Sequence, residues 1–424
     1  MTATSNATQP VAHDAVDAMR ERYVAVRSLM LDLAAPLSDA DATGQSMPDA
    51  SPAKWHLAHV TWFFETFVLR DHVPGYEPHD ARWAYLFNSY YEAEGARHAR
   101  PQRGLLTRPS LSEVINYRRR VDEAMVEAMP IILERCPDLV ELGLHHEQQH
   151  QELLLTDIKH LFFQNPLGPA VWESESHPAQ APAQADIRWI DGPVGLIDIG
   201  DAGGGFAFDC EQPAHRHYLT PYALADRLVS NSDWAAFIAD GGYSTAALWL
   251  SDGWSWVQQE RIEAPLYWRR AGDGWEHFTL AGWAPVDPDA PVTHISLYEA
   301  DAFAAWSNVR LPTEQEWEAA ARRDDPRRGV QLDHAGPVAP RNDGAASMFG
   351  NVWQWTGSAY RPYPGFRTAP GAVGEYNGKF MSGQFVLKGA SCATPRGHSR
   401  ATYRNFFFPH QRWQFTGLRL AKDL

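Results

Sequence analysis

Apolar positions recur at helical spacing in four stretches between residue 1 and about residue 165, and each predicts a helix. From Asp14 to Leu33 the repeat includes Val16, Met19, Val24 and Val26. A second helix opens at Ser51-Pro52, with Ser51 as N-cap and Pro52 at the first helical position, and runs through Trp55, Leu57, Val60, Phe63, Phe64 and Phe67. The third starts at the capping box Ser110-Leu111-Ser112-Glu113 and continues past Val121, Met125 and Met129. The fourth runs from about Pro137 to Phe163. Four helices with one long connection, roughly residues 70–109, predict a four-helix bundle with a functional crossover loop.

The pattern then changes. The stretch from His177 to Asp186, HPAQAPAQAD, has no hydrophobic period and predicts a linker. From about Ile190 short apolar runs alternate with Gly, Pro and Asp, which predicts a loop-rich α+β domain. Its helix signals cover Ser230 to Ala239, Ser296 to Trp306 and Thr313 to Ala321, the last with a Thr313–Glu316 capping box. The expected organisation is a helical bundle over 1–168, a linker over 169–188 and an α+β domain over 189–424.

A length of 424 residues agrees with two cores rather than one. The 17 tryptophans, with 30 prolines and 31 glycines, predict long loops pinned by aromatic rings. A net charge of −15 argues against a general nucleic-acid binder, although a local arginine cluster could still hold a small anion. Cys136, Cys210 and Cys392 are too few and too widely spaced for a disulfide framework, so a reducing cytoplasm is the simplest expectation. Met1 to Ala12 is polar and does not read as a signal peptide, and no apolar run approaches the length of a membrane span.

The most specific local motif is His146-Glu147-Gln148-Gln149-His150. In a helix, i and i+4 share a face, so the two imidazoles can grip one metal ion. The string also matches HExxH, in which Glu147 would be the general base of a zinc hydrolase, but no further ligand motif follows it. Against the metal stands the plainer reading of two histidines on a polar helix face. A third ligand could come from the second helix, because bundles build metal sites from facing helices. His59 is the best candidate and His56, one turn earlier, the competitor; His72, His145 and His160 are weaker. Three neutral imidazoles suit Fe(II), Zn or Cu alike.

The predicted crossover loop carries Phe87-Asn88-Ser89-Tyr90-Tyr91-Glu92, followed by Arg97, Arg100, Arg103 and Arg108. Tyrosines beside a metal can supply a proton or an electron, and arginines can hold a carboxylate bidentately. Without the nearby histidines, the same residues would be read as packing rings and solvated charges.

Two sets of motifs resemble known families. Trp55-His56-Leu57-Ala58-His59-Val60 and His146-Glu147-Gln148-Gln149-His150-Gln151-Glu152 resemble the DinB-like helical domain of the ergothioneine sulfoxide synthases. Residues 310–318 (RLPTEQEWE), 350–355 (GNVWQW) and Gly417-Leu418-Arg419 look like the formylglycine-generating-enzyme fold, a C-type-lectin-like domain. This combination covers nearly the whole chain. The resemblance implies Fe(II) bound by His59, His146 and His150, and it selects His59 over His56. It implies hercynine, the trimethylated betaine of histidine, as substrate, with O2 and a cysteine-type thiol as partners and a sulfoxide as product.

Residue by residue, Tyr90 and Tyr91 match the branch whose active-site tyrosines lie in the helical-domain loop. The tyrosine of the other branch falls near Val373, where its role is vacated. Gln149, Tyr376 and Asn405 with its neighbour Phe406 match residues that contact hercynine, and Arg100 and Arg103 match arginines that bind the thiol substrate's carboxylate. Phe407 stands where one branch has an Asp, Cys210 where Asn is expected, and Ser382-Gly383-Gln384 where Cys-Asn-Gln is usual. These departures leave open a relative, selenoneine synthase, which joins a selenosugar to hercynine. Two further readings stand beside it: the HExxH zinc hydrolase and a non-catalytic ligand-binding module.

Overall fold

The computed structural model describes residues 13–173, 186–342, 347–371, 374 and 376–424, so most of the predicted linker and Val373 lie outside the described residues. The chain divides into two compact units, Met1–Ile158 and Lys159–Leu424.

The first unit contains α1 (His13–Ala34), α2 (Asp39–Thr43), α3 (Ala53–Phe64), α4 (Trp83–Phe87), α5 (Leu111–Arg135) and most of α6 (Pro137–Phe163). Helices α1, α3, α5 and α6 are the four expected of a bundle. The capping box that opens α5 forms as expected between Ser110 and Glu113. Ser51, in contrast, does not cap α3. Pro52 occupies that position without a side-chain bond, while the Ser51 N–H donates to Asp157 Oδ2 at 2.8 Å. All twelve residues of α3 are buried, the polar Lys54, His56, His59 and Thr61 among them, so the helix has no solvent-facing side. It continues into a π-helical turn, Glu65–Arg70, whose buried Glu65 accepts from the hydroxyls of Tyr76 at 2.9 Å and Tyr117 at 2.6 Å.

A buried ion network ties the bundle together. Arg27 of α1 donates to Glu147 of α6 at 2.7 Å and to Asp122 of α5 at 2.6 Å. Arg118 of α5 donates to the other Glu147 oxygen, and Tyr23 donates to Asp122 at 2.7 Å. Charges so deeply buried are tolerated only when they are paired and hydrogen-bonded.

In the second unit β1 (Trp189–Asp191), β2 (Gly195–Ile199), β3 (His215–Leu219) and β4 (Tyr222–Ala225) precede α7 (Asn231–Ala239) and α8 (Ser251–Glu260). Then come β5 (Trp268–Ala271), β6 (Gly274–Thr279), β7 (Gly282–Pro285), α9 (Leu297–Trp306) and α10 (Glu314–Ala321). The chain ends with β8 (Trp353–Ala359), β9 (Phe385–Gly389), β10 (Asn405–Phe407), β11 (Thr416–Gly417) and β12 (Ala421–Asp423). They form sheets of order β1-β4-β12, β10-β9-β8-β11, β2-β3 and β5-β6-β7, with β8 and β11 parallel.

The three motifs of this half meet inside it. Trp317 Nε1 donates to Gln354 Oε1 at 2.8 Å, and Arg419 Nε donates to the same oxygen at 3.1 Å. Gly350 has φ +83°, and an added Cβ would lie 2.6 Å from the Val330 nitrogen, so the turn requires glycine. Buried and bonded to one another, Trp317, Gln354 and Arg419 pin the motifs together. Among the described residues no helix is long and apolar enough to cross a membrane.

Candidate metal centre

His59 projects from α3, and His146 and His150 lie one turn apart on α6. One ring nitrogen of each lies within 4.8 Å of the others, and all three residues are buried. Burial pushes the imidazoles toward the neutral form, His146 to about 3, while His59 and His150 are lowered further by facing the other histidines. Neutral imidazole is the form that binds a metal.

The hydrogen bonds around the rings decide which nitrogen is available. His59 Nδ1 lies 2.6 Å from the Phe87 carbonyl oxygen. A carbonyl only accepts, so the proton sits on Nδ1 and the Nε2 lone pair is free. Phe87 is the last residue of α4, and helix ends leave carbonyls without intrahelical partners. Trp55 Nε1 takes the preceding one, Leu86 O, at 3.0 Å. His150 Nδ1 lies 2.8 Å from His56 Nδ1, and His56 Nε2 lies 3.1 Å from Asp157 Oδ2. His146 Nδ1 is buried with no hydrogen-bond partner among the described residues. Three converging neutral imidazoles and one orphaned ring nitrogen fit a bound divalent transition metal.

Glu147, the acid of the HExxH string, is turned away from the histidines into the Arg27–Arg118 network. With both oxygens engaged by guanidinium groups, it is not placed to act as a general base. His56, the competitor of His59, has both ring nitrogens engaged in hydrogen bonds, Nδ1 with His150 and Nε2 with Asp157, so neither is turned to the triad's centre.

The crossover segment separates its two tyrosines. Tyr91 is buried, with its ring centroid 5.8 Å from Trp62 and 4.9 Å from Phe67. Tyr90 is half-buried, and its hydroxyl accepts from Arg100 Nη1 at 2.8 Å. Asn88 holds the turn by donating to Tyr91 O at 2.9 Å and accepting from Tyr91 N at 3.2 Å. Arg103 is buried, donates to Ser51 Oγ at 2.9 Å and Ser89 Oγ at 3.1 Å, and places its guanidinium carbon 3.3 Å from the Trp55 ring centroid. Burial and the neighbouring Arg100 lower its pKa to about 9. Trp55 itself stacks on His59, with centroids 4.6 Å apart and planes 13° apart. Gln149 is half-buried on α6, between His146 and His150 in sequence.

In the second unit, Phe406 of β10 stacks on Tyr360 at 4.3 Å and 12°, and on Phe380 at 5.7 Å and 26°. Tyr376 meets Phe380 edge-on at 5.3 Å. Asn405 begins the same strand, half-buried, and its side-chain oxygen accepts from Phe406 N at 2.9 Å. The Cys210 thiol is pushed up to about 12 by burial and by the charge of Glu211, so it stays protonated. Its backbone carbonyl accepts from Arg404 Nη1 at 2.9 Å.

Sequence reasoning missed the supporting roles of Trp55, Asn88 and Asp157. For Asp157 a signal existed, since it lies seven residues after His150 and so on the same helix stripe.

Two family models match the chain: the DinB superfamily over residues 22–154, and the sulfatase-modifying factor enzyme 1-like domain over 179–335 and 335–424. The chain is 32% identical over 412 residues to hercynine oxygenase of Mycobacterium tuberculosis, covering 91% of this chain and 94% of that protein. It is 30% identical over 419 residues to hercynine oxygenase of Mycolicibacterium thermoresistibile, covering 91% and 90%. Similarity to the formylglycine-generating enzyme of Thermomonospora curvata, at 28% over 295 residues, covers 58% of this chain and 97% of that protein.

Proposed function

The chain belongs to the hercynine oxygenase family, and from that premise we propose that it joins the sulfur of a cysteine-type thiol to the imidazole of hercynine, using Fe(II) and O2. The observation that carries this reading is the convergence of His59, His146 and His150 as buried neutral imidazoles. The overall change balances as imidazole C–H plus thiol S–H plus O2 giving a C–S(=O) product and one water. When bound, a ferrous ion supplies the redox partner for O2 and acidifies a coordinated thiol or selenol.

The chain's own residues orient and protonate. Tyr90 is the acid of this reading. Its hydroxyl accepts from Arg100 Nη1 at 2.8 Å, and a phenol O–H is an acid that can donate to the reacting oxygen. Arg100 presents positive charge for the donor's carboxylate. Arg103, expected to bind that carboxylate as well, is instead read as a support: buried and donating to Ser51 and Ser89, it fixes the Trp55 ring against His59. Tyr91, the other tyrosine expected to act, is buried with its ring packed on Trp62 and Phe67, which favours Tyr90 over it as the acid. Gln149, Tyr376, Asn405 and Phe406 remain the residues proposed to contact hercynine.

The test is anaerobic loading with Fe(II), then O2 exposure with hercynine and one donor at a time, read by mass spectrometry. A sulfoxide adduct from cysteine or γ-glutamylcysteine is expected. An adduct formed only from a selenosugar would assign the C–Se reaction instead, and no adduct with any donor would refute the activity.

A further inference from the structure

Two side chains outside the histidine triad are wired to it, and neither belongs to the ligand set. His56 lies between α3 and α6 with both ring nitrogens engaged: Nδ1 is 2.8 Å from His150 Nδ1, and Nε2 is 3.1 Å from Asp157 Oδ2. His56 and Asp157 are 2% and 6% exposed, so water does not compete for these bonds. Asp157 is anchored in turn by the Ser51 N–H at 2.8 Å.

The proton order along this chain follows from what each atom can do. A carboxylate accepts, so the His56 proton sits on Nε2 and its Nδ1 carries a lone pair. A close N···N contact needs one proton between the nitrogens, and with His56 Nδ1 accepting, that proton belongs to His150 Nδ1. His150 is thereby held as the Nδ1–H tautomer with the Nε2 lone pair outward. The opposite order would place the proton of a neutral His150 on Nε2 and block it as a ligand. His59 reaches the same state through the Phe87 carbonyl, so a backbone acceptor sets one ligand and a histidine–carboxylate pair sets the other.

We propose that His56 and Asp157 are positioning residues, forming a relay that fixes the tautomer, ring orientation and donor strength of His150. The proposal rests on the reading of His59, His146 and His150 as a metal centre. Outer partners of this kind typically change metal affinity by about 10–100-fold when removed. Of His59 and His150, only His150 is backed by an anion. The relay also accounts for two histidines one turn apart on α3: His59 offers a lone pair to the centre, and His56 accepts the hydrogen bond of His150 from behind.

The experiment titrates Co(II) into the metal-free full chain and its His56→Phe, His56→Gln and Asp157→Asn variants. Affinity is measured against a competing chelator, the visible ligand-field bands are recorded, and melting of each metal-free variant checks folding. His56→Phe is expected to bind Co(II) about 10–100-fold more weakly with altered bands. His56→Gln should recover most of the affinity, because a side-chain carbonyl can accept the His150 Nδ1–H, and Asp157→Asn should fall between. If His56→Phe binds within about twofold of the parent with the same bands, the relay is overturned. Equal losses in His56→Gln and His56→Phe overturn it too, since packing alone would then set the affinity. If His56→Phe fails to fold, Asp157→Asn decides by the same criterion. Failure of the parent chain to bind Co(II) would sink the metal-centre reading beneath the relay.

Discussion

Replacing Glu147 by Gln should destabilise the helical unit without removing any metal ligand. Glu147 is fully buried and accepts from two guanidinium groups, Arg27 and Arg118. Asp122 is the second acid, 2.6 Å from Arg27 and 4.0 Å from Arg118. Two positive groups thus face two negative ones, and Glu147→Gln leaves an uncompensated charge in the core. Its new amide donors also face guanidinium donors. Breaking a buried pair from one side costs about 3–5 kcal/mol. No discount for solvent applies at Glu147, whose side chain is 0% exposed. With a urea dependence of about 1–3 kcal/mol per molar, the unfolding midpoint of this unit should fall by roughly 1 M or more. Urea unfolding of the metal-free chain by far-UV circular dichroism measures it. A midpoint within about 0.3 M of the parent would refute the network's role in stability. A variant as stable as the parent but inactive would return Glu147 to chemistry.

Three further outcomes follow from the geometry. Tyr90→Phe should cut adduct formation by roughly 100-fold and shift product towards oxidised thiol, while Tyr91→Phe, which keeps its packed ring, changes little; product ratios by mass spectrometry check both. Lys159 is buried 2.7 Å from His294 Nε2, and burial lowers its pKa from near 10.5 to about 7. Between those values the unfolded chain binds more protons than the native one, so this group makes stability rise with pH across that window and is flat below it. Lys159→Met should therefore melt higher than the parent at pH 7, with a margin that shrinks towards pH 10; an unchanged margin refutes it. Gln354→Leu strips Trp317 and buried Arg419 of their shared acceptor and should cost about 1–3 kcal/mol by denaturant titration.

The parts of the fold legible in the sequence are those with long periodicity. All four long helices of the first unit announce themselves, and α6 runs from Pro137 to Phe163 as its pattern indicates. Short elements do not. α2 and α4 have five residues each, less than two turns, and α8 reads SDGWSWVQQE, in which Gly253 and scattered tryptophans hide the helix. Of the site, the His146–His150 pair is visible because both ligands share one helix. His59 was separable from His56 only by resemblance, because the polar residues of α3, Lys54, His56, His59 and Thr61, fall on more than one side and mark no single inward direction. Glu147 was legible as a motif letter but not as an ion-pair acceptor, since its partners lie 120 and 29 residues away.

The burial of α3 on every side has a kinetic corollary. His59 stands on a helix with no solvent face, so exchanging a metal there needs a breathing motion of the bundle rather than a side-chain swing. Backbone amides of α3 should therefore exchange with deuterium among the slowest of the helical unit.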